Sequence, residues 1–212
     1  MTSGLATLCA ICLSTAAAAQ GEGWTTRTVD DGKISVSYKV STRTDDTGNE
    51  VPLIEYVTTA TATVSLQAAI ALMKQPSRHH EFTGDATSAR VAVLAENEWV
   101  IHSHYASPWP FPDNDRVTRM TMVEDAATKT AVVTFSAAPS LFKETGVKRV
   151  TYYQQVFTLK DVGGGKVEVA LDMKMSPPTS GPVWIIRSAF PGAGANTVRK
   201  FIELAAAEKR HE

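Results

Sequence analysis

The 212 residues carry 21 Lys and Arg against 22 Asp and Glu, a formal net charge of -1, and 43% of them are hydrophobic. That balance supports a sizeable apolar core and lacks the basic excess that a nucleic-acid or polyanion partner requires. Both cysteines, Cys9 and Cys12, fall within the first nineteen residues, so the rest of the chain offers no disulfide framework, thiol nucleophile or cysteine zinc site.

Those nineteen residues, MTSGLATLCAICLSTAAAA, contain no charged side chain and end in small residues. They read as a secretory signal cleaved after Ala19, with Ala17 and Ala19 in the small-x-small positions, and the apolar run is short of the roughly 20 residues of a membrane span. The expected organisation is a signal peptide over 1–19 and one domain over 20–212, because no linker, repeat or low-complexity tract divides the remainder. A periplasmic or secreted location follows.

In chain order, Trp24–Val29 and Ile34–Thr44 read as a hairpin closed by Asp30, Asp31 and Gly32, since Ile34, Val36, Tyr38 and Val40 alternate with polar residues. A second turn, Asp45–Asn49, leads to a β-branched strand between Pro52 and Val64. There the period changes. Ser65 can cap a helix whose Leu66, Ala69, Ile70 and Met73 form one apolar face, Pro76 ends it, and Ser77–Phe82 can add a further helical turn. Six short strands follow, over Ala89–Ala95, Trp99–Ala106, Arg116–Glu124, Ala131–Ala137, Val150–Lys160 and Val167–Met175. The turn residues between them predict an antiparallel meander. Gly163, Gly164 and Gly165 make a hairpin turn and not a phosphate loop, because the Lys is not followed by Ser or Thr and no helix follows. An apolar segment, Val183–Phe190, precedes a terminal helix striped by Val198, Phe201, Ile202 and Ala205. A strongly curved sheet of this size buries its concave face most simply by packing a helix across the opening.

Several side chains are candidates for chemistry. His102 and His104 stand two apart on one strand, the spacing of a metal-binding pair, but no third ligand stands in a recognised motif, and a solvated face is the expectation. Arg116 and Arg119 have opposite strand parity; we place Arg119 inward, on the face of Val117 and Val123, to meet a carboxylate or a ligand's polar end. Tyr152 and Tyr153 are likewise opposed, and Tyr153 is the inward one. The stretch YASPWPFPDNDRVTRM sets three prolines around Trp109 and Phe111. Prolines end a strand without leaving unpaired N–H groups, and the two aromatics would form an apolar rim.

Trp24, DDGKISVSY, RHHEF, PWPFPDNDRV and GPVWIIRSAFPGAGANTVRKFIEL resemble, in order and spacing, the successive landmarks of START domains, the steroidogenic-acute-regulatory-protein-related lipid-transfer modules. The resemblance covers Trp24 to about Leu204. It departs from the family at Asn114-Asp115-Arg116-Val117, where an Arg-Asp-aromatic turn is usual, and in lacking a Trp near Phe82 and a long N-terminal helix. The resemblance implies an α+β helix-grip fold, a strongly curved antiparallel sheet wrapped around a long C-terminal helix, with short helices after the third strand. It also implies that one lipid or other hydrophobic small molecule binds inside. Candidate wall and lid residues are Trp99, Tyr105, Met120, Tyr153, Phe157, Met173, Trp184 and Phe190, with Trp109 at the rim and Arg119 at the polar end. We expect a monomer in transient contact with membranes, with no cofactor and no nucleic-acid partner. Two alternatives stand beside this. One is a helix-grip enzyme in which His102, His104, Tyr153 or Asp172 converge, and the other is a partner-binding module that uses the Trp109 rim.

Overall fold

The computed structural model describes residues 23–107, 112–178 and 192–208, and among these it contains ten strands and three α-helices. The hairpin of β1 (Thr25–Val29) and β2 (Ile34–Thr44) closes through Asp30 and Asp31, both at positive φ (54° and 55°), with the Lys33 N–H donating to the Asp30 carbonyl at 3.1 Å. Asp is one of the few side chains that tolerates this backbone. In the next turn, Asp45 Oδ1 accepts from the Thr47 and Asn49 N–H groups, each at 2.9 Å, before β3 (Glu50–Ala62).

Helix α1 (Leu66–Met73) starts where the sequence predicts: Ser65 Oγ accepts from the Ala68 N–H at 3.2 Å, meeting one of the orphan donors of the first turn. A 3-10 turn (Pro76–Arg78) and α2 (His80–Thr83) follow, and Gly84, at φ 81°, ends α2. Strands β4 (Thr87–Ala95), β5 (Glu98–Tyr105), β6 (Asn114–Asp125) and β7 (Thr130–Ala137), then β9 (Tyr152–Gly163) and β10 (Lys166–Ser176), form the expected antiparallel pairs. One strand was not foreseen. β8 (Lys148–Val150) lies parallel to β6, pairing Val150 with Arg116, whereas Tyr152 pairs with Ser176. The chain changes neighbour at Thr151, so the continuous strand read from Val150 to Lys160 is two elements; a three-residue parallel pairing leaves no local periodicity to read.

The sheet runs β1-β2-β3-β10-β9-β7-β6-β5-β4, with β1 and β4 as its open edges. Pairing of β3 with β10 brings the first hairpin against the last strand. Along β9 and β10 the odd-numbered residues from Tyr153 to Leu159 and from Val167 to Met173 are buried, and by register they share a face with Tyr56, Val133 and Met120. On this concave face lies α3 (Gly192–Glu208), packed against α1, α2, β2, β3 and β10. Its Val198, Phe201 and Ala205 are fully buried, and Ile202 is half-buried at the flank of the predicted stripe. Phe82, Phe157 and Phe201 form the centre, with ring centroids 5.3 to 6.1 Å apart. Aromatic contacts of this kind add about 0.5–1.5 kcal/mol each beyond the area they bury.

Candidate functional site

Strand parity sorts the sequence candidates. Trp99, Met120, Phe157 and Met173 are buried on the concave face, and Tyr153 joins them at 8% exposure. Tyr105 shares their parity at the end of β5 and is half-buried. Arg119 is the correction. Register places Met120 inward beside Trp99 and Phe135, so Arg119 must point out, where its side chain is 55% exposed and its Nε donates to Glu98 at 2.7 Å. The apolar company that suggested otherwise belongs to the convex face: Val117 is buried there, and Val123 is exposed. Trp109, Trp184 and Phe190, together with the expected signal over 1–19, lie outside the described residues.

Arg116 takes the inward place instead. Its Nη2 donates to Asp85 Oδ1, with side-chain exposures of only 14% and 2%, and its guanidinium stands 4.9 Å from the centre of the Tyr153 ring. Asp85 sits just beyond Gly84, and its other oxygen accepts from Thr83 Oγ1 at 2.7 Å. Burial opposes the charge on Arg116, but the Asp85 carboxylate, its hydrogen bond and the nearby Tyr153 and Tyr56 phenols together outweigh it and raise the pKa of the guanidinium. Nε and Nη1 of Arg116 have no acceptor among the described residues.

Around the pair stand Thr118, Ser103, Tyr153, Gln155 and His79. The Tyr153 hydroxyl donates to Gln155 Oε1, and burial pushes its pKa up to about 12. His79 Nε2 lies 2.9 Å from the Met73 carbonyl; burial lowers its pKa to about 4, so the ring is neutral, with Nε2 as the donor. The void these groups enclose measures about 20 Å³, room for about one water. A larger cleft of about 460 Å³ opens at the other end of β6, between the start of α1, the β6–β7 turn and the β9–β10 turn. Glu124, Asp125, Lys129, Asp161 and Lys166 line it, so it offers a solvated, charged wall and not a dry one.

The histidine pair faces outward, as its parity predicts. His102 Nε2 lies 3.1 Å from Asp115 Oδ2 and His104 Nε2 lies 3.3 Å from Asp113 Oδ2, so each ring has its own carboxylate. Among the described residues no three His, Cys, Asp or Glu side chains gather as a metal set. Asp115 is fully buried beneath the 138–147 segment and accepts from Arg149 Nε and Nη2 at 3.0 and 2.7 Å and from Thr145 Oγ1 at 2.7 Å. Arg149 also donates to the carbonyls of Pro139, Phe142 and Lys143, which pins that segment to the convex face. Asp172 lies on the convex face too, exposed opposite Val57 and Val156. The convergence of His102, His104 and Asp172 with Tyr153 in one cavity therefore does not occur.

Neither a family model nor a curated protein sequence matches this chain. Solved structures do. A STAR-related lipid transfer protein from Xanthomonas axonopodis superposes with a TM-score of 0.70 at 18% identity, covering 87% of this chain and 99% of that one. Human StAR-related lipid transfer protein 5 gives a TM-score of 0.68 at 13% identity, covering 90% and 89%. The ZhuI aromatase/cyclase from a Streptomyces species gives 0.54 at 8% identity, covering 76% and 96%. An open, largely antiparallel sheet closed over a C-terminal helix, shared along almost the whole of a bacterial STAR-related structure, identifies the architecture of this chain as a START-like helix-grip fold.

Proposed function

We propose that this chain binds and carries one hydrophobic small molecule, a lipid or a compound of similar character, between the sheet and α3, with a neutral oxygen of that molecule set against Arg116 and Asp85. The observation that carries the reading is the charged pair itself. On a concave face otherwise made largely of aliphatic and aromatic side chains, a buried guanidinium and carboxylate gain little for stability compared with apolar residues of the same volume. They suit a task instead: the pair is neutral overall, Arg116 keeps unspent donors, and Tyr153, Gln155 and Thr118 add hydroxyl and amide groups. Such a well suits a hydroxyl or carbonyl better than an anionic head, which would compete with Asp85 for the guanidinium. The names of the two lipid-transfer proteins of similar fold support the same class of ligand.

Among the described residues the void beside the pair measures about 20 Å³, too small for a lipid, so in this reading α3 moves to load the ligand. The ties on α3 suit a lid: Arg199 donates to both oxygens of Asp30 at 2.6 and 2.8 Å, and Glu208 pairs with Arg78, each of these side chains keeping a quarter or more of its surface in solvent. Apolar burial beneath the lid would then supply affinity at about 25 cal/mol per Å² before association costs. Residues 1–19 would direct export, so that the chain works in the periplasm or outside the cell as a monomer that meets membranes transiently.

Native mass spectrometry of the protein purified from its own periplasm or medium tests this. A stoichiometric hydrophobic adduct, with the chain beginning near Gln20, is the expected result; a chain with no adduct that also fails to take up any long-chain alcohol would refute the reading. A helix-grip enzyme is the second reading, favoured by the likeness to the cyclase. It predicts that a bound compound is recovered chemically altered, whereas a carrier returns it unchanged.

A further inference from the structure

Besides the unspent nitrogens of Arg116, the concave face holds a fully buried side-chain hydroxyl that the described residues leave unmatched. Thr58, on β3, is ringed by Val36 on β2, Leu171 on β10 and Ala60 along its own strand, and it is fully buried. Its Oγ1 has no hydrogen-bond partner among the described residues. Valine fills the same space without the hydroxyl, and the β-branched Ile34, Val36 and Val169 stand at neighbouring positions of the same face.

Helix α3 seals the group off. A Cβ placed on Gly194 would meet Thr58 Oγ1 at 2.5 Å and the Tyr56 Cδ2 and Cε2 atoms at 3.0 Å, so the helix backbone lies directly on the hydroxyl and no ligand atom fits between them. The covering turn reads Gly192-Ala193-Gly194-Ala195. Two glycines make it the part of α3 whose helical state is least favoured. Gly194 is fixed by the contact, whereas no described residue lies within 4 Å of a Cβ placed on Gly192, so packing among the described residues does not demand the second glycine. The turn that unwinds most readily therefore covers the unmatched hydroxyl. Tyr56 links this spot to the charged pair: its ring borders Gly194, and its phenol feels the charges of Arg116 and Asp85.

We propose that Thr58 selects the ligand: when the first turn of α3 lifts, its hydroxyl bonds a second neutral oxygen of a molecule whose first oxygen sits at Arg116 and Asp85. The inference rests on the binding reading above and sharpens it. The cargo is an amphiphile with two separated hydroxyl or carbonyl groups, not a hydrocarbon with a single polar end.

Displacement of Nile red by stearyl alcohol and by hydroxystearyl alcohol, which adds one mid-chain hydroxyl, tests this in the wild type, Thr58→Val and Thr58→Ser. The wild type and Thr58→Ser should favour the diol by about three- to tenfold, the worth of one hydrogen bond, and Thr58→Val should lose that preference. Without ligand, Thr58→Val should melt above the wild type, since it removes an unmatched hydroxyl and keeps the shape. Equal diol preference in the wild type and Thr58→Val, or a lower melting point for unliganded Thr58→Val, would overturn the role of Thr58 while the binding reading stands. Failure of both alcohols to displace Nile red from the wild type would overturn the binding reading and this inference with it.

Discussion

Replacing Asp85 by Asn keeps the acceptor for Thr83 but leaves the Arg116 guanidinium inside the sheet without its carboxylate. With side chains only 14% and 2% exposed, the two charges are screened little by salt, and removing one partner of a buried pair costs about 3–5 kcal/mol. The double variant Asp85→Asn with Arg116→Met should regain most of that loss, since an apolar replacement no longer needs a counter-charge. Urea unfolding followed by circular dichroism measures both, and the linear slope should stay constant if only the native state is affected. Binding should separate from stability. The double variant should fold well yet hold a fatty alcohol no better than the corresponding alkane, because the polar end of the site is gone. A single-variant loss below about 1 kcal/mol would mean that water reaches the pair freely, and the case for a dry polar anchor would fail. A double variant that keeps the preference for the alcohol would refute the anchor even if the energetics hold.

Breaking the surface ties of α3 by Asp30→Ala together with Glu208→Ala should speed Nile red release at low salt with little change in melting temperature, and the difference from wild type should shrink in high salt. Buried His79 has its pKa lowered from 6.5 to about 4, so the unfolded chain binds more protons between these values. Its contribution is complete above pH 6.5 and lost as the pH falls towards 4, by up to about 3 kcal/mol; His79→Gln should flatten urea midpoints measured at pH 7 and pH 5 relative to wild type. Asp115→Asn breaks a buried pair on the convex face and should cost about 3–5 kcal/mol by the same reasoning as Asp85→Asn. Its ligand occupancy per folded molecule, measured by native mass spectrometry, should match the wild type.

Most of the fold was legible because its signals are local. Ser65 before an i, i+3, i+4, i+7 stripe gave α1 and its cap, Asp30-Asp31-Gly32 gave the first hairpin, and strict alternation along Val167–Met175 gave β10 with its buried face. What escaped depends on partners distant in sequence. β8 exists only because β6 accepts it, and the 138–147 segment lies on the convex face only because Asp115 and Arg149 hold it there. That cover buries Val117 on the outside, which gave β6 apolar residues on both faces and made its parity ambiguous when read alone. With Met120 facing the core beside Trp99 and Phe135, Arg119, its chain neighbour, cannot share its side.

Asp115 and Arg116 show why the site was harder to read than the fold. They are adjacent in the sequence and opposite in charge, yet they do not pair. Strand alternation sends Asp115 outward to Arg149 and Arg116 inward to Asp85, 31 residues earlier. Each charge finds a buried partner on its own face, so the sequence shows a ladder of mixed charges where the fold makes two separate ion pairs. The outer pair is spent: Asp115 is saturated by Arg149, Thr145 and His102, and Arg149 by three carbonyls. The inner one is not, since Arg116 keeps two nitrogens without acceptors among the described residues, beside a space for about one water. A fully matched pair closes structure and an incompletely matched one invites a ligand, which is why the binding argument rests on Arg116 and Asp85 and not on the histidines beside Asp115.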